Sequence, residues 1–187
     1  MVGATVTIAD QYREYCETPS DIYLHLPRLV EVVRELDAKH VIELGTRSGV
    51  STVAFLHALE ETDGRLTSID LDAPPAIESP RWTFIQGDDL DPRILYGLEP
   101  ADLVFIDTSH LYEQTVAELH VYKHLVNPGG IIALHDTQLP QPIGAPRRPS
   151  FPVRTAIEDF VAEEDLYWVE FPECWGLGLI SLGDRNG

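Results

Sequence analysis

Acidic residues stand at the ends of the short β-branched runs of this 187-residue chain. Glu43 falls near the end of residues 41–44, Asp70 ends 66–70, and Asp88 and Asp89 follow 82–86 across Gly87. Asp107 ends 102–107, and Asp136 directly follows 131–135. Ligands of an open α/β sheet bind in the crevice beyond the carboxyl ends of its strands. If these runs are parallel strands, five of them aim carboxylates into one crevice, and the chemistry such a crevice favours is that of a cationic ligand.

That arrangement disfavours a dinucleotide, whose pyrophosphate needs N–H donors and a glycine-rich turn. The loop after the first run is Gly45-Thr46-Arg47-Ser48-Gly49, not GxGxxG. S-adenosylmethionine has a sulfonium, an ammonium and one carboxylate, and no phosphate. Acids suit its ammonium, its ribose hydroxyls and its adenine amine. Asp70 lies 21 positions after Gly49, near the spacing at which an acid meets a ribose in βαβ nucleotide sites. The expected cofactor contacts are Glu43, Gly45, Thr46, Gly49, Ser51, Asp70, Gly87, Asp88 and Asp107.

The elements that must position these acids alternate along the chain, as in a parallel sheet flanked by helices. Ile22, Leu26, Leu29, Val33 and Leu36 recur at helical spacing. Pro27 places the start of that helix near itself, after a capped turn at Ser20-Asp21. Helices are predicted over 51–59, 112–125 and 153–162. The three prolines between 71 and 80 leave no room for a crossover helix before the third strand. Residues 167–171 and 177–182 read as a closing, hairpin-like pair at the sheet edge. Residues 137–152 carry five prolines and no periodicity; they are expected to act as a lid, with Arg147 and Arg148 either gripping an acidic acceptor or balancing charge. Residues 1–40 are read as a helical cap on a single domain spanning 1–187.

Composition narrows the function further. The net charge of −18 repels phosphate backbones and anionic membranes, so no nucleic-acid or membrane partner is expected. The first ten residues lack the basic start and apolar core of a signal peptide, which places the protein in the cytoplasm. Cys16 and Cys174 read as two reduced thiols. A homodimer is the base-rate expectation for assembly.

At the residues quoted above the chain resembles the class I S-adenosylmethionine-dependent methyltransferases, with 41–49 as the first motif, Asp70 as the ribose acid, Gly87-Asp88 as the adenine-side turn and Asn127-Pro128-Gly129-Gly130 before the fifth strand. The resemblance runs from about residue 20 to 182. It implies a Rossmann-like, doubly wound, mostly parallel seven-stranded α/β sheet with helices on both faces and the last strand antiparallel. Residues 106–113 and 129–136 look closer to the metal-dependent small-molecule O-methyltransferases, the group of macrolide-sugar O-methyltransferases and cephalosporin-hydroxylase-like proteins. Carried over, Asp107 and Asp136 are ligands of a divalent cation, Mg2+ or Mn2+, and His110 is the base. The group has two adjacent oxygen ligands after the fifth strand, and here the first position is His135. Three outcomes stand open: His135 turns away, the site takes manganese or another transition ion, or metal binding is lost. The implied function is O-methylation of a small-molecule acceptor. The rivals are a hydroxylase-like reaction, for which no 2-His-1-carboxylate triad can be read, and a non-catalytic cofactor-binding module. His120 and His124, four apart, read as an ordinary helix face.

Overall fold

The computed structural model describes residues 6–141 and 149–183. Seven strands form one sheet: β1 (His40–Leu44), β2 (Arg65–Asp70), β3 (Trp82–Gln86), β4 (Ala101–Ile106), β5 (Val126–His135), β6 (Trp168–Phe171) and β7 (Leu177–Ser181). Their order is β3-β2-β1-β4-β5-β7-β6. β1 to β5 run parallel, and β7 is antiparallel to both β5 and β6. The doubly wound, mostly parallel sheet is as expected, and so is the closing hairpin, with β7 inserted between β5 and the edge strand β6.

The central strands β1 and β4 are almost wholly buried because both faces are covered. Side-chain alternation sends Val41, Leu103 and Phe105 to one face and Ile42, Leu44, Val104 and Ile106 to the other. Three helices cover the first face: α1 (Ile8–Glu17), α2 (Leu26–Glu35) and α3 (Val50–Thr62). There Phe105 meets Phe55 edge to face, ring centroids 5.3 Å apart. The short α4 (Pro92–Leu95), α5 (Tyr112–Tyr122) and α6 (Pro152–Glu164) cover the second.

Four of the departures from the sequence reading have a clear local reason. α1 was not anticipated, although Thr7 and Asp10 form a capping box that announces it. α4 was also missed; its signal is the N-cap Asp91 followed by Pro92. α5 stops at Tyr122, three residues early, where Leu125 N–H turns back to the Tyr122 carbonyl. β5 starts at Val126, which pairs with Ala101 before a bulge carries the chain through Pro128-Gly129-Gly130. A Cβ on Gly130 would sit 2.6 Å from the Asp102 carbonyl oxygen, so this crossing requires glycine. Among the described residues no helix is long and apolar enough to cross a membrane.

Candidate active site

Neighbouring strands β1 and β4 send their chains to opposite faces, β1 into α3 and β4 into α5, and this divergence opens a crevice at their carboxyl ends. A cleft of about 630 Å³ lies there. Asp70, Asp88, Asp89, Asp107 and Asp136 all line it, so four of the five strand ends deliver carboxylates as expected. Gly45, Thr46, Ser51, Gly87 and His110 line it as well.

The loop from Gly45 to Gly49 wraps around Asp70. One oxygen of Asp70, Oδ2, accepts hydrogen bonds from Thr46 N–H (2.7 Å), the Thr46 hydroxyl (2.9 Å) and Arg47 N–H (3.0 Å). Among the described residues Oδ1 accepts only from Asp72 N–H, at 2.9 Å, and keeps acceptor capacity for a ligand hydroxyl. Burial opposes the charge on Asp70, but these donors outweigh it and hold the carboxyl below its usual range. Arg47 also pairs with Asp21 at 2.6 Å, tying the segment before α2 to the cleft rim.

Glu43 corrects the sequence reading. Leu44 and Gly45 still follow it, and the alternation of β1 turns its side chain sideways, under α3, rather than out of the strand end. It is fully buried and does not line the cleft. Its carboxylate accepts from Ser51 (2.6 Å), Thr52 (2.9 Å) and Ser68 (2.6 Å), and Ser68 in turn accepts from the Trp82 indole at 2.9 Å. Burial raises its pKa, the three hydroxyls restrain the rise, and the balance stands at about 7. Glu43 therefore braces α3 against β1 and β2. Glu43→Leu leaves three buried hydroxyls without their acceptor and is expected to cost about 3 kcal/mol, read as a lowered urea midpoint; a shift within error would refute the brace.

Gly49 is likewise behind the cleft wall rather than on it. It caps α3 at φ +84°, and a Cβ there would fall 2.4 Å from Ile77 Cδ1.

His110 stands between two carboxylates, its Nε2 3.2 Å from Asp107 Oδ1 and 2.8 Å from Asp136 Oδ2. Burial alone would lower its pKa, but the two carboxylates outweigh burial and raise it to about 9. His135 is almost fully buried and does not line the cleft. Its Nε2 donates to the Cys174 carbonyl at 2.9 Å, while Nδ1 lies 3.4 Å from Asp136 Oδ2 and 3.6 Å from Asp107 Oδ2. The group whose ligand atoms all come within 4.8 Å of one another is Asp107, His110 and Asp136, without His135. The expected ligand set is corrected accordingly: His135 supports the carboxylates from below. The two carboxylates, with the imidazole beside them, lie close enough together to hold a divalent cation. They are also the inverse of a 2-His-1-carboxylate triad.

Backbone strain marks the same place. Among the described non-glycine residues with positive φ, Asp63 and Asp165 end helices, and Asp37 lies just beyond one. Arg47, His110 and Asp136 are different: they line the cleft, at φ +45°, +55° and +64°. Such conformations persist where surrounding structure imposes them, often at functional sites. Cys174, at φ +43°, supplies the carbonyl that orients His135, a link between β5 and the β6–β7 turn that sequence order hides.

A second cluster, His120 with Glu163 and Glu164, joins α5 to α6. Lys123 Nζ lies 2.6 Å from Glu164 Oε1, His120 Nε2 lies 3.5 Å from Glu163, and the His120 ring packs edge-on against Phe160. Of the expected lid, residues 142–148, including Arg147 and Arg148, lie outside the described residues.

The fold and the acid-lined cleft at its topological switch together define a Rossmann-like methyltransferase architecture. Residues 42–137, just over half of the chain, match the family model described as a methyltransferase domain, and the chain belongs to that family. No curated protein matches the sequence. Solved structures share the fold at low identity. The mycinamycin-pathway methyltransferase MycE, solved with Mg and S-adenosylhomocysteine, aligns with a TM-score of 0.74 and 16% identity over 96% of this chain. This chain spans 56% of MycE's length. The O-methyltransferase of Bacillus cereus, solved with S-adenosylhomocysteine, gives 0.64 and 16%, covering 97% of this chain and 92% of that one. TomG of Streptomyces achromogenes, an O-methyltransferase of tomaymycin synthesis solved with S-adenosylmethionine, gives 0.65 and 19%, covering 94% and 87%.

Proposed function

We propose that this chain transfers the methyl group of S-adenosylmethionine to a hydroxyl of a small molecule, assisted by a divalent cation. One observation carries the reading: His110 is clamped between Asp107 and Asp136 in the same cleft that Asp70 and Asp88 line. The cleft thus combines an acidic seat for a cationic donor with a proton-handling group. The ligands named for MycE, TomG and the Bacillus cereus enzyme support the same donor, and MycE supports the cation. The net charge of −18 supports a small acceptor over a nucleic acid.

Asp70 Oδ1 is the oxygen free to take ribose hydroxyls, and Asp88 faces the adenine end. Thr46 and Ser51 lie on the cleft wall for the methionine portion. Methyl transfer is an in-line displacement: the acceptor oxygen forms its bond to the methyl carbon as the sulfur–carbon bond breaks, leaving S-adenosylhomocysteine. The hydroxyl proton must leave, and His110 Nε2 is the group placed to receive it. Asp107 and Asp136 would hold the cation, with His135 orienting both carboxylates. A divalent cation there supplies Lewis acidity to the acceptor hydroxyl and offsets the negative charge that keeps His110 protonated.

Calorimetry with S-adenosylhomocysteine, followed by a radiolabelled methyl-transfer screen of hydroxylated acceptors with and without Mg2+ or Mn2+, tests the proposal. Absence of binding by the wild-type protein would refute it. Asp70→Asn is expected to weaken S-adenosylhomocysteine binding by about 10- to 100-fold, the range of one charge-assisted hydrogen bond. An unchanged affinity would remove Asp70 from the donor site.

A further inference from the structure

A second acidic pair, Asp89 on the cleft wall and Glu118 buried behind it, takes no part in the proton transfer outlined above. Gln114, Glu118 and Tyr122 follow one another at i, i+4 and i+8, a single stripe along α5. All three meet Asp89, the residue after Asp88 in the adenine-side turn. Gln114 Nε2 donates to Asp89 Oδ1 at 3.1 Å, and the Tyr122 hydroxyl donates to the Asp89 carbonyl at 2.8 Å. Glu118 lies beside the Asp89 carboxyl, held across the same Gln114 amide. Its Oε1 also accepts from Gln114 at 3.0 Å and from the Thr108 hydroxyl at 2.7 Å. Thr108 adjoins Asp107 on the loop that carries His110. Glu118 is fully buried and Asp89 is 8% exposed, and among the described residues no donor reaches Glu118 Oε2.

Two carboxylates have four acceptor oxygens between them and no donor, so they cannot hydrogen-bond each other without a proton. The orphaned Oε2 of Glu118 becomes a donor once protonated, which resolves both problems. We infer that Glu118 and Asp89 share one proton and that this pair is a positioning latch, fixing the adenine-side turn and the His110 loop to the same helix. The adenine part of the inference rests on the donor proposed above; the shared proton does not.

The charged and titratable groups facing the pair are Asp88 within the turn, Asp70 at the end of β2 and Tyr122 on α5. Burial first, then carboxylate repulsion, raises both acids above their usual range. A raised folded pKa gives stabilisation that is complete below the ordinary carboxyl range and is lost as pH rises through the folded value. The latch therefore holds at acidic and neutral pH and loosens in alkali.

Two variants and two readouts test it. Glu118→Gln keeps the shape and supplies an N–H donor to Asp89, whereas Glu118→Leu keeps volume and leaves Asp89 alone. The infrared difference spectrum, wild type minus Glu118→Gln at pH 6 without ligand, is expected to show a protonated-carboxyl band. Calorimetry with S-adenosylhomocysteine is expected to give a dissociation constant for Glu118→Gln within about threefold of wild type, and one for Glu118→Leu raised about tenfold or more. Wild-type affinity is expected to weaken with rising pH, and that of Glu118→Gln to stay flatter. Absence of the band overturns the shared proton. Equal affinity loss in both variants, or none in either, overturns the latch. Should wild type fail to bind S-adenosylhomocysteine, the donor proposal and the adenine part of the latch fail together, and the infrared band still decides the proton.

Discussion

His110→Asn is expected to lower methyl-transfer turnover by about 10²- to 10⁴-fold, the usual contribution of a positioned proton acceptor. Asparagine is chosen because His110 sits at φ +55°, a conformation that asparagine tolerates better than alanine does. The variant thus removes the imidazole while sparing the backbone. S-adenosylhomocysteine affinity is expected to change little, because the proposed donor site seats ribose and adenine against Asp70 and the Gly87–Asp88 turn rather than His110. Single-turnover rates and calorimetry on the same preparation separate the two effects. Equal loss of turnover and affinity would make His110 a wall of the donor site instead of the group that takes the acceptor's proton.

Gly45→Val is expected to be the most damaging single change to the fold. Gly45 adopts φ +86°, and a Cβ there would lie 2.0 Å from the Asp107 carbonyl oxygen and 2.9 Å from its carbon. The neighbour is backbone at the end of β4, so no side-chain rotation relieves the clash. Left-handed strain and overpacking together are expected to cost about 3–5 kcal/mol, a large part of a typical domain's stability. The same displacement moves Asp107 away from His110 and Asp136. Gly97→Ala is the control, since its Cβ would meet only the Ile94 carbonyl oxygen at 3.5 Å. Urea unfolding should give Gly97→Ala a midpoint near wild type and Gly45→Val a far lower one. Similar midpoints would show that the Gly45–Asp107 crossing does not constrain the fold.

Much of the cleft was legible because it depends on strand order and strand ends. Asp70, Asp88, Asp107 and Asp136 each stand at or just after the end of an apolar run, and a parallel sheet brings such ends to one edge whatever its detailed packing. Glu43 looked the same in sequence but lies two positions earlier relative to its turn, at Gly45. That offset sends the carboxylate sideways into the layer beneath α3, where Ser51, Thr52 and Ser68 take it up. His135 next to Asp136 read as a ligand by adjacency. His135 is the last residue of β5 and Asp136 turns out of the strand at φ +64°, so the carboxylate reaches the cleft while the imidazole stays buried below it.

The sequence by itself determined the alternating α/β pattern, the closing hairpin, the acid-rich edge and the segment that carries Asp107 and His110, because each is written in local periodicity and in residues a few positions apart. The tertiary structure alone decided which acids face the cleft and which are buried beneath it. It also placed His110 between Asp107 and Asp136, gave His135 its anchor on the Cys174 carbonyl 39 residues away, and closed α5 onto Asp89. These are long-range contacts, set by how helices and turns pack across the sheet, and no local spacing encodes them.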